Sequence, residues 1–265
     1  MRWAVLSDIH GNLPALEAVT DEIRTEGITE VVQLGDALSG PLWPAETAGR
    51  LISLGWPGIA GNHERQVLTI APERQGASDA FASAQLTEAH RDWLRQLPAT
   101  RWLSPEVFCC HGTPDSDLVY FMETVVAGWG VDGSAGIRPA TADELRQRLG
   151  THRSPVVLCG HTHLPRVMWT GASLVVNPGS VGLPAFDDDH VHPHWVENGS
   201  PHARWAVIER TSRGWRADLR VTPYDHESAA RRAETNGRPD WADALRTGRV
   251  GRTESAALSP MGEVS

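Results

Sequence analysis

Asp8 and His10, Asp36, Asn62 and His63, His111, and the pair His161 and His163 each stand directly after a short apolar run, in that order along the chain. Carboxylate oxygen, amide oxygen and imidazole nitrogen suit borderline-to-hard divalent cations such as Mn, Fe, Co, Ni or Zn. No thiolate is among them. Seven of these residues, Asp8, His10, Asp36, Asn62, His111, His161 and His163, are too many ligands for one tetrahedral ion and suit two ions that share a carboxylate. Asp36 is the candidate bridge. Taken singly, Asp8, Asp36 and Asn62 also read as caps or turn residues, and His111 as a satisfied core histidine. Five motifs at five strand ends make coincidence the weaker account.

The elements that must position them follow from periodicity. An apolar run at 3–6 reads as a strand, followed by a helix with Pro14 in its first turn, Leu13, Leu16, Val19 and Ile23 on one face, and Gly27 as its stop. A second strand at 31–34, a helix opened by Pro44 and a third strand at 57–60 continue the alternation, which implies βαβ units and a mostly parallel sheet. In such sheets ligands bind beyond the carboxyl ends of strands, so distant residues can meet there. Strand alternation further predicts that Asp8 and His10, and likewise His161 and His163, point to one side. The chain then reads as a helix at 86–97, a strand at 106–110, a glycine-rich loop at 128–136 and a helix capped by Thr141 and Glu144. A strand at 155–159 is followed by runs at 166–170, 172–176, 203–210 and 215–221, which have only turns between them and read as antiparallel. Helices are expected at 226–234 and 239–247. A parallel first half and an antiparallel second half predict two sheets in one domain over 1–250, and the aperiodic tail at 251–265 reads as disordered.

At this point the residues resemble a known family. Asp8-Ile9-His10, Gly35-Asp36, Gly61-Asn62-His63-Glu64, His111-Gly112 and Gly160-His161-Thr162-His163 are similar to the five ordered motifs of calcineurin-like metallophosphoesterases. Gly11-Asn12-Leu13 and Asn177-Pro178-Gly179-Ser180-Val181-Gly182 resemble its small bacterial and archaeal phosphodiesterase branch. The resemblance implies an α/β fold, a two-sheet β-sandwich flanked by helices. It also implies one divalent ion on Asp8, His10, Asp36 and His163, a second on Asp36, Asn62, His111 and His161, with manganese first among the metals, and His63 as the catalytic histidine. The reaction implied is hydrolysis of a small, nucleotide-like phosphodiester by a hydroxide bridging the metals, with His63 protonating the leaving oxygen and Glu64 or another acid orienting it. A phosphomonoesterase or nucleotide phosphatase, and a non-catalytic metal-binding scaffold of the same fold, remain as alternatives. Asn12, Arg65 and Arg166 are the candidate substrate contacts, although Asn12, just before a helix, reads more readily as an N-cap or loop anchor.

The composition narrows the function from the other side. All 24 Lys+Arg residues are arginine, which excludes lysine Schiff-base chemistry and the lysine of a phosphate-cradling loop. With 33 acidic residues the net charge is 24 − 33 = −9, which argues against a broad nucleic-acid-binding face. No apolar run approaches the roughly 18 residues of a membrane span. We therefore expect a soluble cytoplasmic protein, with an oligomer compatible with the sequence. Cys109, Cys110 and Cys159 read as reduced, buried thiols. The His-rich insertion at 187–202 departs from the family pattern; it reads as a solvated loop rimming the site mouth, ahead of a third metal site on His190, His192 and His194.

Overall fold

The first strand, β1 (Arg2–Leu6), is buried on both faces, as its unbroken run Trp3-Ala4-Val5-Leu6 requires. In this computed structural model, which describes residues 1–258, it leads through α1 (Leu13–Thr25) to β2 (Glu30–Gln33), and then to α2 (Pro44–Leu54), α3 (Asn62–Thr69), α4 (Ala77–Gln85) and α5 (Glu88–Arg95). The middle holds β3 (Thr100–Ser104), β4 (Val107–Cys110), the short strands β5 (Glu123–Val125) and β6 (Ile137–Pro139), α6 (Ala142–Leu149) and β7 (Val156–Leu158). The hairpins β8 (Arg166–Trp169) with β9 (Leu174–Asn177), β10 (Ala185–Asp188) with β11 (His194–Glu197), and β12 (Ala203–Thr211) with β13 (Gly214–Thr222) follow. Three helices, α7 (His226–Thr235), α8 (Pro239–Thr247) and α9 (Glu254–Leu258), close the described chain.

Two larger sheets face each other, in the orders β13-β12-β1-β2 and β3-β4-β7-β9-β8. Alternation along each strand sorts its side chains into layers. Trp3, Val5, Val32 and Leu34 meet Val107, Cys109, Val156, Leu158 and Val176 between the sheets. Ala4, Leu6 and Val31 turn outward onto Leu16, Val19 and Ile23 of α1 and Leu51 of α2. Phe108, Cys110 and Val157 turn the other way, onto Leu145 and Leu149 of α6. The result is the expected two-sheet sandwich flanked by helices. All three cysteines are free and buried, and burial pushes each thiol up, which keeps them inert. No helix among the described residues is long and apolar enough to cross a membrane.

Several expectations need correcting. Parallel and antiparallel pairing do not divide by chain half: β1 runs parallel to β2 but antiparallel to β12, while β4, β7 and β9 are mutually parallel between antiparallel β3 and β8. Residues 57–60 form only an isolated parallel bridge, Gln33 with Gly58, because the chain turns away after Ile59. The helix expected at 86–97 is α5 alone, and α4, which carries no clear apolar stripe, was not foreseen. Residues 187–202 are not a solvated loop throughout: β10 and β11 pair over Ala185–Glu197 and bury His194. The tail expected to be disordered contains α9, with Glu254 bonded to Asp187; residues 259–265 lie outside the described residues.

Trp205 is fully buried under α1 and donates its indole N–H to Thr222 at 2.8 Å. Trp205→Ala is expected to lower unfolding stability by about 3–5 kcal/mol, read as a shifted urea midpoint.

Candidate metal centre

The seven residues expected to ligate metal do come together, but not by strand alternation. β1 ends at Leu6 and β7 at Leu158, so Asp8, His10, His161 and His163 lie beyond their strands in tight turns. Asp8 (φ 54°), His10 (52°), Asp36 (53°), His161 (70°) and His163 (55°) all occupy the left-handed region; among the described residues only Asp132 and Val191 are other non-glycine cases. Each such residue costs about 1–2 kcal/mol, and the surrounding bonds must hold it there. They do so through the backbone: Asp8 N–H donates to Gly35, His10 N–H to Asp36, and Gly182 N–H to Asp8, all near 3.0 Å. Asn177 adds its amide, donating to the Gly160 carbonyl at 2.8 Å and to the Thr162 hydroxyl at 2.9 Å, within the loop that carries both histidines.

The imidazoles are fixed one nitrogen at a time. Nδ1 of His10 lies 2.7 Å from the Ser39 carbonyl, Nδ1 of His111 2.7 Å from Leu34, and Nδ1 of His163 2.7 Å from Leu183. A carbonyl only accepts, so each Nδ1 carries a proton and each Nε2 is the atom turned to a ligand, with a lone pair wherever the ring is neutral. His161 is held the other way round, with Nε2 on the Leu118 carbonyl at 3.2 Å, which leaves Nδ1 free. Two donor groups result, Asp8, His10 and His163, and Asp36, His111 and His161, the atoms of each within 4.8 Å of one another. Asp8 Oδ1 lies 3.4 Å from His163 Nε2 and 4.0 Å from His111 Nε2, and so reaches towards both groups. Asp36 accepts the His63 amide on Oδ1 and sits 3.0 Å from His111 Nε2 with Oδ2.

Three features fit divalent cations. His10 Nε2 and His163 Nε2 face each other at 3.1 Å with both Nδ1 protons committed elsewhere. Asn62 Oδ1 is buried with no partner, and His111 Nε2 makes no well-directed hydrogen bond. Such orphaned acceptors in a protein interior call for a ligand. Electrostatics agree: burial and then the neighbouring His163 push His10 down to about 3, while burial and then His111 push His161 down to about 4, which keeps both neutral. Burial favours neutral Asp8 and Asp36 as well, but the imidazoles beside them outweigh it and hold both carboxyls low. Burial opposes charging of His111, but Asp36 outweighs it and raises the ring to about 10, so its Nε2 holds a proton that a bound cation would displace.

The centre opens into a cavity of about 600 Å³. His63, at the start of α3, stands on its wall with Nδ1 2.8 Å from Asp79 of α4. Burial opposes charging of His63, yet Asp36 and Asp79 overcome it and raise the imidazole to about 9. Asp79 was not foreseen: nothing in a run beginning Gly76-Ala77-Ser78-Asp79 marks it as the partner of a histidine sixteen positions earlier. Glu64, in the first turn of α3, does not orient His63. Its carboxylate accepts the backbone N–H groups of Gly61 (2.7 Å), Asp36 (2.7 Å) and Ala37 (2.8 Å), tying two of the metal-bearing loops together.

The three candidate substrate contacts fall elsewhere. Asn12 is buried outside the cavity lining, capping α1 through Ala15 N–H and donating to the Gly182 carbonyl and the Tyr224 hydroxyl. Arg65 pairs with Asp117 at 2.7 Å on the surface, and Arg166 pairs with Glu123 at 2.7 Å behind the cavity wall. His190, His192 and His194 belong to neither donor group among the described residues. The insertion does rim the cavity, through Asp187, Asp188, His190, Val191 and His194.

Residues 1–194 match the model of the calcineurin-like phosphoesterase superfamily domain. An uncharacterized protein of Methanocaldococcus jannaschii is 40% identical over 249 residues, covering 90% of this chain and 94% of the other. Among solved structures, a metallophosphoesterase from Sphaerobacter thermophilus aligns with a TM-score of 0.67 at 20% identity, covering 97% of this chain and 100% of that one. A hypothetical protein from Pyrococcus horikoshii aligns with a TM-score of 0.69 at 19% identity, covering 93% and 98%. At such identities these two likenesses speak for the fold.

Glu64→Gln places an amide where three backbone donors converge. A loss of about 2–3 kcal/mol in unfolding stability is expected, since one N–H acceptor becomes a donor inside the protein. Chemical denaturation reads it, and an unchanged midpoint would contradict the clamp.

Proposed function

Because the chain belongs to the calcineurin-like phosphoesterase superfamily, we propose that it is a dinuclear, metal-dependent phosphodiesterase acting on a small ester. The observation that carries this is the facing pair of Nε2 lone pairs on His10 and His163, 3.1 Å apart, whose repulsion a cation relieves. In this reading Asp8, His10, Asp36 and His163 hold one ion, Asp36, Asn62, His111 and His161 hold the other, and manganese suits the mixed oxygen and nitrogen set. When bound, such ions polarise phosphoryl oxygens and acidify water.

The protein's own groups do the rest. His63 projects into the cavity with Nδ1 on Asp79, so its Nε2 is the proton donor for the leaving oxygen. Asp79 fixes the ring and favours its charged form. A diester is preferred to a monoester on charge grounds. The one arginine among the described lining residues, Arg148, is committed to the Phe121 and Glu123 carbonyls and the Thr124 hydroxyl, and Arg65 and Arg166 are paired with carboxylates. The second negative charge of a monoester meets no free guanidinium there.

Elemental analysis after manganese loading is expected to give close to two ions per chain, and Asp36→Asn to lower that number. The loaded protein should hydrolyse an aryl phosphodiester, whereas a scaffold would turn over nothing. His63→Ala should cost about 10²–10⁴-fold in kcat with an alkoxide leaving group and much less with p-nitrophenolate, which departs without a proton. Equal losses on both would rule out the acid role. Asp79→Asn should follow the same pattern with a smaller loss.

A further inference from the structure

Part of the cavity wall next to the candidate centre is made of hydrogen-bond acceptors whose donors are missing. Tyr120, from the loop after β4, and His194, from the β10–β11 hairpin, both line it and both are buried. His194 Nδ1 is 2.8 Å from the His192 carbonyl and therefore carries the proton. Its Nε2 accepts, at 3.1 Å, the one hydroxyl proton Tyr120 has. What Tyr120 can still offer the cavity is lone pairs.

Glu123 adds to the same wall. It is 1% exposed; Oε1 takes the Arg166 guanidinium, and Oε2 makes no well-directed hydrogen bond, with the Thr162 hydroxyl beside the carboxylate. Asp188, paired across the hairpin with His194, is a further lining carboxylate, whose Oδ1 already accepts the His190 amide. The opposing charge, Arg148, is spent on the carbonyls and hydroxyl described above.

We infer that Tyr120, Glu123 and Asp188 form a subsite for the alcohol half of the ester, and that it takes an uncharged, hydroxyl-rich group, a polyol or sugar. Hydroxyls supply the donors that this wall lacks, and a second anion would meet carboxylates. This assignment rests on the phosphodiesterase reading for the orientation of the ester.

Phosphinic acids, which have no scissile ester bond, test it by calorimetry on the manganese-loaded protein. The (3,4-dihydroxybutyl)(methyl) compound is expected to bind about tenfold more tightly than its butyl counterpart, and the 3-carboxypropyl compound more weakly than either. Tyr120→Phe and, separately, Glu123→Gln should shrink the dihydroxybutyl-to-butyl ratio towards one. His194→Gln, whose side-chain carbonyl can still accept the phenol proton, should keep most of it. Equal binding of the diol and butyl compounds, or a ratio untouched by Tyr120→Phe, overturns the subsite. Binding is read without turnover, which separates the two claims: a retained ratio in a protein that cleaves no diester removes the enzyme assignment alone, and cleavage without the ratio removes the subsite alone.

Discussion

Two carboxylates and three imidazoles held almost out of water, with a fourth imidazole half-buried beside them, are the constraint to which the rest of the structure is fitted. Left unconnected, such a cluster would be costly in desolvation and self-repulsion. All four rings are therefore committed by one nitrogen to a main-chain carbonyl, and those carbonyls, of Leu34, Ser39, Leu118 and Leu183, come from different segments. The second nitrogen has no freedom left. Its direction follows from the chain's path, and that path includes five left-handed residues which only the dense bonding between loops can maintain.

The sandwich supplies the rigidity this demands. Both parallel pairs that deliver ligands, β1 with β2 and β4 with β7, are buried between helices on one side and the opposite sheet on the other. Their carboxyl ends cannot drift relative to one another without disturbing close-packed layers. Glu64 extends that rigidity beyond the strands by fastening Gly61, Asp36 and Ala37 with one side chain. Gly61 matters for a related reason: a Cβ there would stand 2.2 Å from Asp36 Oδ1.

What could be read from the sequence was the part encoded locally. Asp-x-His, Gly-Asp, Gly-Asn-His-Glu and Gly-His-Thr-His each follow an apolar run, so both the residues and the strand ends that present them were visible. The reason for their convergence was not visible, because alternation was invoked where left-handed turns do the work. The role of Glu64 and the partnership of His63 with Asp79 depend on loops and helices meeting in space, and no spacing rule encodes them. The β10–β11 hairpin was hidden for a different reason: Asp187-Asp188-Asp189-His190 is polar at successive positions, which masks the alternation that a half-buried strand normally shows. Long-range pairing also explains why the two halves of the chain do not map onto two sheets.

β1 lies between β2 and β12, so this early strand is completed by one made nearly two hundred residues later. The loop after it is finished later still than its own residues suggest, since Ser180, Gly182 and Leu183 hold Asp8 and His163 in place. Until residues 203–211 are made, a chain emerging from the ribosome exposes an incomplete sheet and a half-built donor cluster. Contacts this distant along the chain make for slow assembly. The donor cluster, on this topology, needs residues 180–183 as well as the turns that carry its side chains.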